Sequence, residues 1–339
     1  MRRIKLVFTR DVEIDFSDRE KALKQIYEVS EKGTSYPLII YGPEGCGKTS
    51  LLKQAAEIFR EQDFETLYIN PLQRDFIVHT DVQDLIKRFV ETLPEAVGVA
   101  QLKLAGLAIF VVRELLTRWR RRKIAVLIDD VFQAVGLDKA ETYVKELLGL
   151  IEHPPANYDN IVVIVATSEG VTRERIGRHR WAILRPIWNM SREGFEELLE
   201  KIPGTKPSTD DLWMITGGNP DALRRLYQTN WDINSVVKDV ITSRKLEALA
   251  SSLNDEEKKW LIEAMKDPDT LFVRERLGLL KRLVEANLMI DTLPERTYDE
   301  WIDQHPPERD PETGVGRYVA WQMPLYREAI NILVEKIRK

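Results

Sequence analysis

Cysteine is nearly absent from this 339-residue chain, where Cys46 is the single example. No intramolecular disulfide can form. A small secreted scaffold held by cross-links is therefore excluded, and a reducing, cytoplasmic setting is expected. Long apolar runs are missing as well. The most membrane-like stretch, Ala105 to Val112, is bracketed by Lys103 and Arg113 and falls far short of the roughly 20 apolar residues a spanning helix needs. It reads as a buried helix, and no membrane span is expected. The first residues place Arg2, Arg3 and Lys5 close to Asp11, Glu13 and Asp15, without the apolar core of a signal peptide. Nor is positive charge in surplus: 50 Lys and Arg stand against 55 Asp and Glu, a net of −5. That balance excludes a surface that attracts nucleic acid everywhere, and leaves room for a local basic patch. Internal repeats and low-complexity tracts are also lacking.

What is present is enough apolar material, 43% of residues, to build cores for two or three domains. From about Leu38 to Leu184, short apolar runs alternate with longer amphipathic stretches. Residues 38–41, 65–70, 125–129 and 161–167 read as buried strands, and 181–184 as a weaker fifth. Such runs, separated by helices, suit a parallel sheet covered on both faces. After Pro186 the pattern becomes short helices, with Ser191 as a helix start and turns at Pro203-Gly204 and Gly217-Gly218-Asn219-Pro220. Near Leu253 a third part begins. Asn254 caps a helix ahead of Asp255, Glu256 and Glu257, and the run from Arg317 to Met323 alternates like a strand before a last helix. The expected fold is α/β: a core of parallel sheet covered by helices over 1–186, a helical lid over 187–250, and a winged-helix-like C-terminal domain over 251–339.

Gly42-Pro43-Glu44-Gly45-Cys46-Gly47-Lys48-Thr49 fits G-x-x-x-x-G-K-[ST] at every fixed position. It lies after a buried strand and before a helix, where the mechanism needs it. Its glycines let successive N–H groups turn toward one point, and the helix N-terminus adds positive partial charge there. Lys48 is expected at the β- and γ-phosphates, the Thr49 hydroxyl on magnesium, and Ser50 near the α-phosphate. The run Ile124 to Asp130 ends a buried strand in two carboxylates. Asp129 is the expected magnesium ligand, and Asp130 the group that polarises the attacking water. Thr167, at the end of the fourth strand, is placed to hydrogen-bond the γ-phosphate or the water. One of Arg173, Arg175, Arg178 and Arg180 is a candidate arginine finger, acting in cis or toward a neighbouring subunit.

Taken together, these features resemble the archaeal-type ATPase family of the broad AAA+/STAND group of P-loop NTPases. Phe16-Ser17-Asp18-Arg19-Glu20 looks like the family's opening segment, with Asp18 in place of its glycine, which implies that Arg19 lies near the adenine. Gly177-Arg178 before residues 181–186 looks like the family's G-R segment and last strand, making Arg178 the preferred finger. The turn at Asn219-Pro220 is similar to the G-x-P turn of STAND proteins, so Pro220 is expected on the base side. Arg224 or Arg225 takes the sensor-2 role by the same resemblance, and ATP is the implied nucleotide. The Asp-Asp ending is common among STAND proteins that work as slow nucleotide switches.

Two functions follow. The first is a Mg-dependent ATPase acting as a nucleotide-gated switch, with a protein partner or self-association through the finger. The alternative is an ATP-dependent DNA-binding protein, origin-recognition-like or a loader, that uses the winged helix. Residues 251–339 carry 14 Lys and Arg against 18 Asp and Glu, so weak, nonspecific DNA binding is the most this part is expected to support. The obvious basic run, Arg118 to Lys123, lies before the third strand and reads as a solvated helix end.

Overall fold

Strands β1 (Lys5–Thr9) and β2 (Val12–Asp15) pair antiparallel and lead to α1 (Glu20–Lys32). Next come β3 (Leu38–Tyr41), α2 (Lys48–Glu61), β4 (Glu65–Asn70), β5 (Asp75–His79) and α3 (Val97–Thr117). They are followed by β6 (Lys123–Asp129), α4 (Val131–Val135), α5 (Leu137–Glu152), β7 (Asn160–Thr167), α6 (Gly170–Gly177) and β8 (Ile183–Pro186). This computed structural model describes residues 2–73, 75–79, 97–117, 122–168 and 170–338. Of the basic run before β6, Arg118 to Arg121 lie outside the described residues.

The chain forms two compact units. The first comprises Met1–Ile4, Glu20–Tyr41 and Lys48–Pro186; the second comprises Lys5–Arg19, Gly42–Gly47 and Ile187–Lys339. In the first, six strands run in the order β5-β4-β6-β7-β3-β8. Five are parallel, and β5 adds an antiparallel edge on β4. Ile124, Val126 and Ile128 of β6 join a core with Leu107, Val111 and Leu147 from α3 and α5. Ala125 and Leu127 point the other way along the same strand and are equally buried. Burial on both faces explains why these strands read as continuous apolar runs. The expected buried helix at 105–112 is the middle of α3, with Leu107, Ala108, Val111 and Val112 buried. Among the described residues, no helix is long and apolar enough to cross a membrane.

The weak fifth strand lies two residues later than expected, at Ile183–Pro186, because Ile183 takes its place beside Leu38 in the register of β3. Strand β5 escaped the sequence reading. As an edge strand with Asp75 and His79 at its ends, it lacks the apolar run of a central strand.

The second unit contains α7 (Arg192–Lys201), α8 (Thr209–Thr216), α9 (Pro220–Gln228), α10 (Ile233–Ser243) and α11 (Leu246–Ser251). Then follow α12 (Asp255–Lys266), α13 (Leu277–Glu285), β9 (Met289–Ile290), β10 (Ala320–Trp321) and α14 (Pro324–Arg338). Ser191 caps α7 through the N–H of Gly194. Asn254 and Glu257 form a reciprocal capping box on α12. One apolar core runs from Phe8 and Ile14 through Val236 and Val240 to Leu325 and Leu333. Lid and C-terminal residues therefore share a single interior. Only Ala320–Trp321 of the alternating run at 317–323 becomes strand, paired with β9. The Asp269 carboxylate accepts the main-chain N–H groups of Arg317, Tyr318 and Val319 at 2.7, 2.9 and 3.1 Å. Those donors are thereby withdrawn from any ladder.

Candidate nucleotide site

Within the first unit, α2 and the C-terminal ends of β4, β6 and β7 converge on Asp129, which is 1% exposed. The Thr49 hydroxyl, in the first turn of α2, donates to Asp129 Oδ2 at 2.6 Å. Tyr68 Oη and Asn70 Nδ2, from β4, donate to the same oxygen at 3.2 Å each. Burial raises the Asp129 pKa. The Thr49 hydrogen bond, the Lys48 charge and the Tyr68 and Asn70 hydrogen bonds oppose that rise. Burial, reinforced by the Asp129 charge, raises the Tyr68 phenol, which keeps it a donor. Lys48 is itself buried, and its charge acts on Asp129.

Asp130 follows at φ 50°, in the left-handed region that few residues other than glycine adopt. Its N–H still bonds to Ala166 O across to β7 at 3.1 Å, so the chain turns sharply while remaining tied to the sheet. Thr167 is buried at the end of β7 and stands opposite Tyr41 of β3. The register of β6, β7 and β3 thus brings Asp129, Thr167 and the start of the P-loop to one edge of the sheet, the edge where α/β folds bind ligands. Ser50 lies in the first turn of α2.

The arginines after β7 are divided. Arg173 lies over the Tyr41 ring, 5.3 Å from its centroid, next to the residue that opens the P-loop. Arg175 pairs with Asp138 at 3.0 Å. Arg178, the preferred finger, is exposed beyond the end of α6.

The loop residues Gly42 to Gly47 cluster with the second unit. A Cβ at Gly42 would meet Ile187 O at 2.0 Å, and one at Gly45, whose φ is 77°, would meet Asp221 Cβ at 2.4 Å. Neither position leaves room for a side chain, Gly42 because of backbone and Gly45 because of the Asp221 side chain. Pro43 O accepts the Cys46 N–H at 3.3 Å, and Cys46 is buried. Pro220, at the start of α9, lies 4.0 Å from the point where a Gly47 Cβ would stand, beside the cradle itself. Glu44 pairs through its carboxylate with Arg244. Asp221 takes up both Arg224 and Arg225, the second at 2.8 Å.

Arg19 was expected at the adenine. Instead it is buried in an ion pair with Asp303 at 2.8 Å, and it donates to Cys46 O at 2.6 Å and Trp188 O at 2.9 Å. A guanidinium with three acceptors inside a protein is a clamp on the P-loop backbone. Sequence reasoning missed Asp303, Tyr68 and Asn70. Only Asn70 carried a signal, as a polar residue ending a buried strand.

The sheet order, the loop and the paired carboxylates agree with a comparison by family. Residues 16–226 match the model of an ATPase domain predominantly from Archaea. The chain belongs to that family. It is thus an ATPase domain, and ATP binding goes with that family. Chromosomal replication initiator protein DnaA 1 of Chlamydia muridarum is 24% identical to it over 189 residues, 53% of this chain and 35% of that protein. The chain thus spans about a third of the length of this curated relative. Among solved structures, AMPPCP-bound DnaA from Aquifex aeolicus is similar with a TM-score of 0.40 and 16% identity, over 79% of each chain. A RuvB variant from Thermotoga maritima is similar with a TM-score of 0.37 and 13% identity, over 81% of this chain and 88% of that one.

Proposed function

We propose that this archaeal-type ATPase binds and hydrolyses ATP with magnesium, and that it works as a nucleotide-gated switch. The reading rests on one observation above the others: the Thr49 hydroxyl and the buried Asp129 carboxylate meet at 2.6 Å beside Lys48. A hydroxyl and a carboxylate brought together offer hard oxygen ligands of the kind Mg2+ takes, the ion keeping most of its other ligands as water and phosphate oxygen. When bound, the metal neutralises charge on the β- and γ-phosphates. Lys48 holds the same phosphates, Asp130 orients the attacking water and takes its proton, and Thr167 hydrogen-bonds the water or the γ-phosphate. Arg173 in cis, or Arg178 toward another subunit, adds positive charge to the transition state. The switch part of the reading is supported by the clustering of Gly42–Gly47 with the second unit. A phosphate held by that backbone bears directly on the unit that contains the lid and C-terminal residues.

The test is calorimetric. Lys48→Ala removes a charge-assisted contact worth about 1.5–3 kcal/mol, so ATP affinity should fall by roughly ten- to a hundred-fold. Unchanged affinity in a folded variant would remove the P-loop assignment.

The DNA-binding alternative has one feature in its favour. Phe272 and Tyr318 stack on the surface, 5.1 Å between centroids, with Arg317 over the Tyr318 ring. Exposed aromatic rings beside arginine suit base stacking, whereas the acidic balance of residues 251–339 opposes phosphate binding. Binding of duplex or single strand that persists at physiological salt and is lost in Tyr318→Ala would favour this alternative.

A further inference from the structure

Glu44 occupies a variable position of the P-loop, yet Gln322, Asn219, Asn287 and Arg244 all hold it. Its N–H donates to Gln322 Oε1 at 2.8 Å. Its main-chain oxygen accepts from Asn219 Nδ2 at 2.9 Å. Its carboxylate accepts from Asn287 Nδ2 at 2.9 Å and from Arg244. The partners bond to one another. Asn219 Nδ2 also donates to Asn189 Oδ1 at 2.9 Å, and Asn189 Nδ2 donates to the main-chain oxygen of Gln322 at 2.8 Å. Gln322 Nε2 donates to Asn287 Oδ1 at 2.7 Å. The result is a closed ring that starts and ends on Glu44. Asn189, Asn219 and Gln322 are 4%, 0% and 1% exposed, and every member belongs to the second unit.

The ring admits one proton arrangement. Asn219 Oδ1 must accept, because it faces the N–H groups of Asp221 and Ala222 at the start of α9. Its Nδ2 therefore faces oxygens, and Asn189 must turn its own Nδ2 to the Gln322 carbonyl. On the other arm the Glu44 N–H can only donate, so Gln322 presents its oxygen there and its Nε2 to Asn287. Asn287 in turn must give its Nδ2 to the Glu44 carboxylate. Backbone groups and one carboxylate fix the sense of each amide. Buried networks satisfied at every member hold a unique geometry, and lose it when one member is changed.

We propose that Gln322 is a positioning residue for nucleotide binding, which keeps the P-loop backbone at Glu44 in the shape that accepts phosphate. This rests on the reading of the chain as an ATP-binding P-loop protein. The α12–α14 part then contributes to nucleotide affinity although Gln322 touches the loop and not the ligand. A binding-competent loop populated only in part weakens every ligand by the same fraction. ATP and ADP therefore lose affinity equally, and turnover at saturation is kept.

The experiment compares the full chain with Gln322→Glu and Gln322→Met. The first keeps the shape and replaces the Nε2 donor by an acceptor facing Asn287 Oδ1. The second keeps the length and removes both polar atoms. Ile330→Val, which trims the same core away from the ring, controls for lost stability. Each ring variant is expected to bind ATP and ADP roughly ten-fold more weakly, since Gln322→Met leaves the Glu44 N–H without its acceptor and Gln322→Glu sets an acceptor against Asn287 Oδ1. The catalytic rate at saturation should stay within about two-fold, while KM rises with Kd. Without nucleotide, hydrogen exchange across residues 42–47 should quicken in both ring variants and not in Ile330→Val. Exchange equal to the parent chain in folded ring variants would overturn the proposal, as would a KM unchanged from that of Ile330→Val. A parent chain that binds neither nucleotide would defeat the ATP reading, and the exchange arm would still decide whether Gln322 positions the loop.

Discussion

Asp130 is where local backbone preference and the proposed chemistry pull apart. Its φ of 50° is disfavoured by about 1–2 kcal/mol for most L-residues, less for Asp and Asn. Glycine removes that penalty, so Asp130→Gly should raise stability by up to about 1 kcal/mol while hydrolysis falls by about 10²-fold or more, as for loss of a general base. Asp130→Asn should hold stability close to the parent and lose hydrolysis alike. Urea midpoints and single-turnover rates measure the two effects separately. Hydrolysis at the parent rate in Asp130→Gly would show that another group polarises the water. Asp129 was readable because an apolar strand that ends in carboxylates has a recognisable place in an α/β sheet. The donors that hold it, Tyr68 and Asn70, were not, since a hydrogen bond between neighbouring strands leaves no spacing in the sequence. Arg19 shows the same limit more sharply. The resemblance picked out the residue, but its partner Asp303 lies 284 positions away, and only the folded chain says that the arginine is buried.

At the level of elements, the legible ones are those whose burial is uniform or whose ends are chemically marked. β3, β6 and β7 were visible as apolar runs. α7 and α12 were visible from Ser191 and Asn254, whose side chains accept N–H groups of the first turn. The hairpin of β1 and β2, the edge strand β5 and the shortened β10 were not legible. Each depends on a partner far away in sequence or on an exposed face without a clear pattern. For β10 the deciding partner is Asp269, which bonds three successive N–H groups and leaves two residues for the strand. Asp269→Ala orphans those donors and should destabilise the second unit by about 2–3 kcal/mol, the scale of losing bonds to a charged acceptor. Denaturant midpoints measure this. A loss below about 0.5 kcal/mol would mean that water replaces the carboxylate freely, as it does at ordinary surface positions.

At the scale of the molecule, the P-loop motif is divided between the two units. Gly42–Gly47 belongs to the second, and Lys48, Thr49 and Asp129 belong to the first. No reading of the motif alone reveals this, because the division depends on what Ile187, Asn219 and Gln322 do around the loop. A ligand that binds the native state stabilises whatever its contacts hold together, by about 2.7 kcal/mol at a hundred times Kd. For domains of this size, each kcal/mol moves Tm by roughly 2–4 °C, so saturating nucleotide should raise a transition by about 5–10 °C. Because Lys48, Thr49 and Asp129 are expected to hold the phosphates and the metal, ATP with magnesium should raise the transition of the first unit. Scanning calorimetry of the full chain, with hydrogen exchange followed at β6, measures the shift. Lys48→Ala should remove most of it. No shift at β6 with saturating nucleotide would mean that Lys48, Thr49 and Asp129 do not hold the ligand, and the magnesium assignment would fall with them.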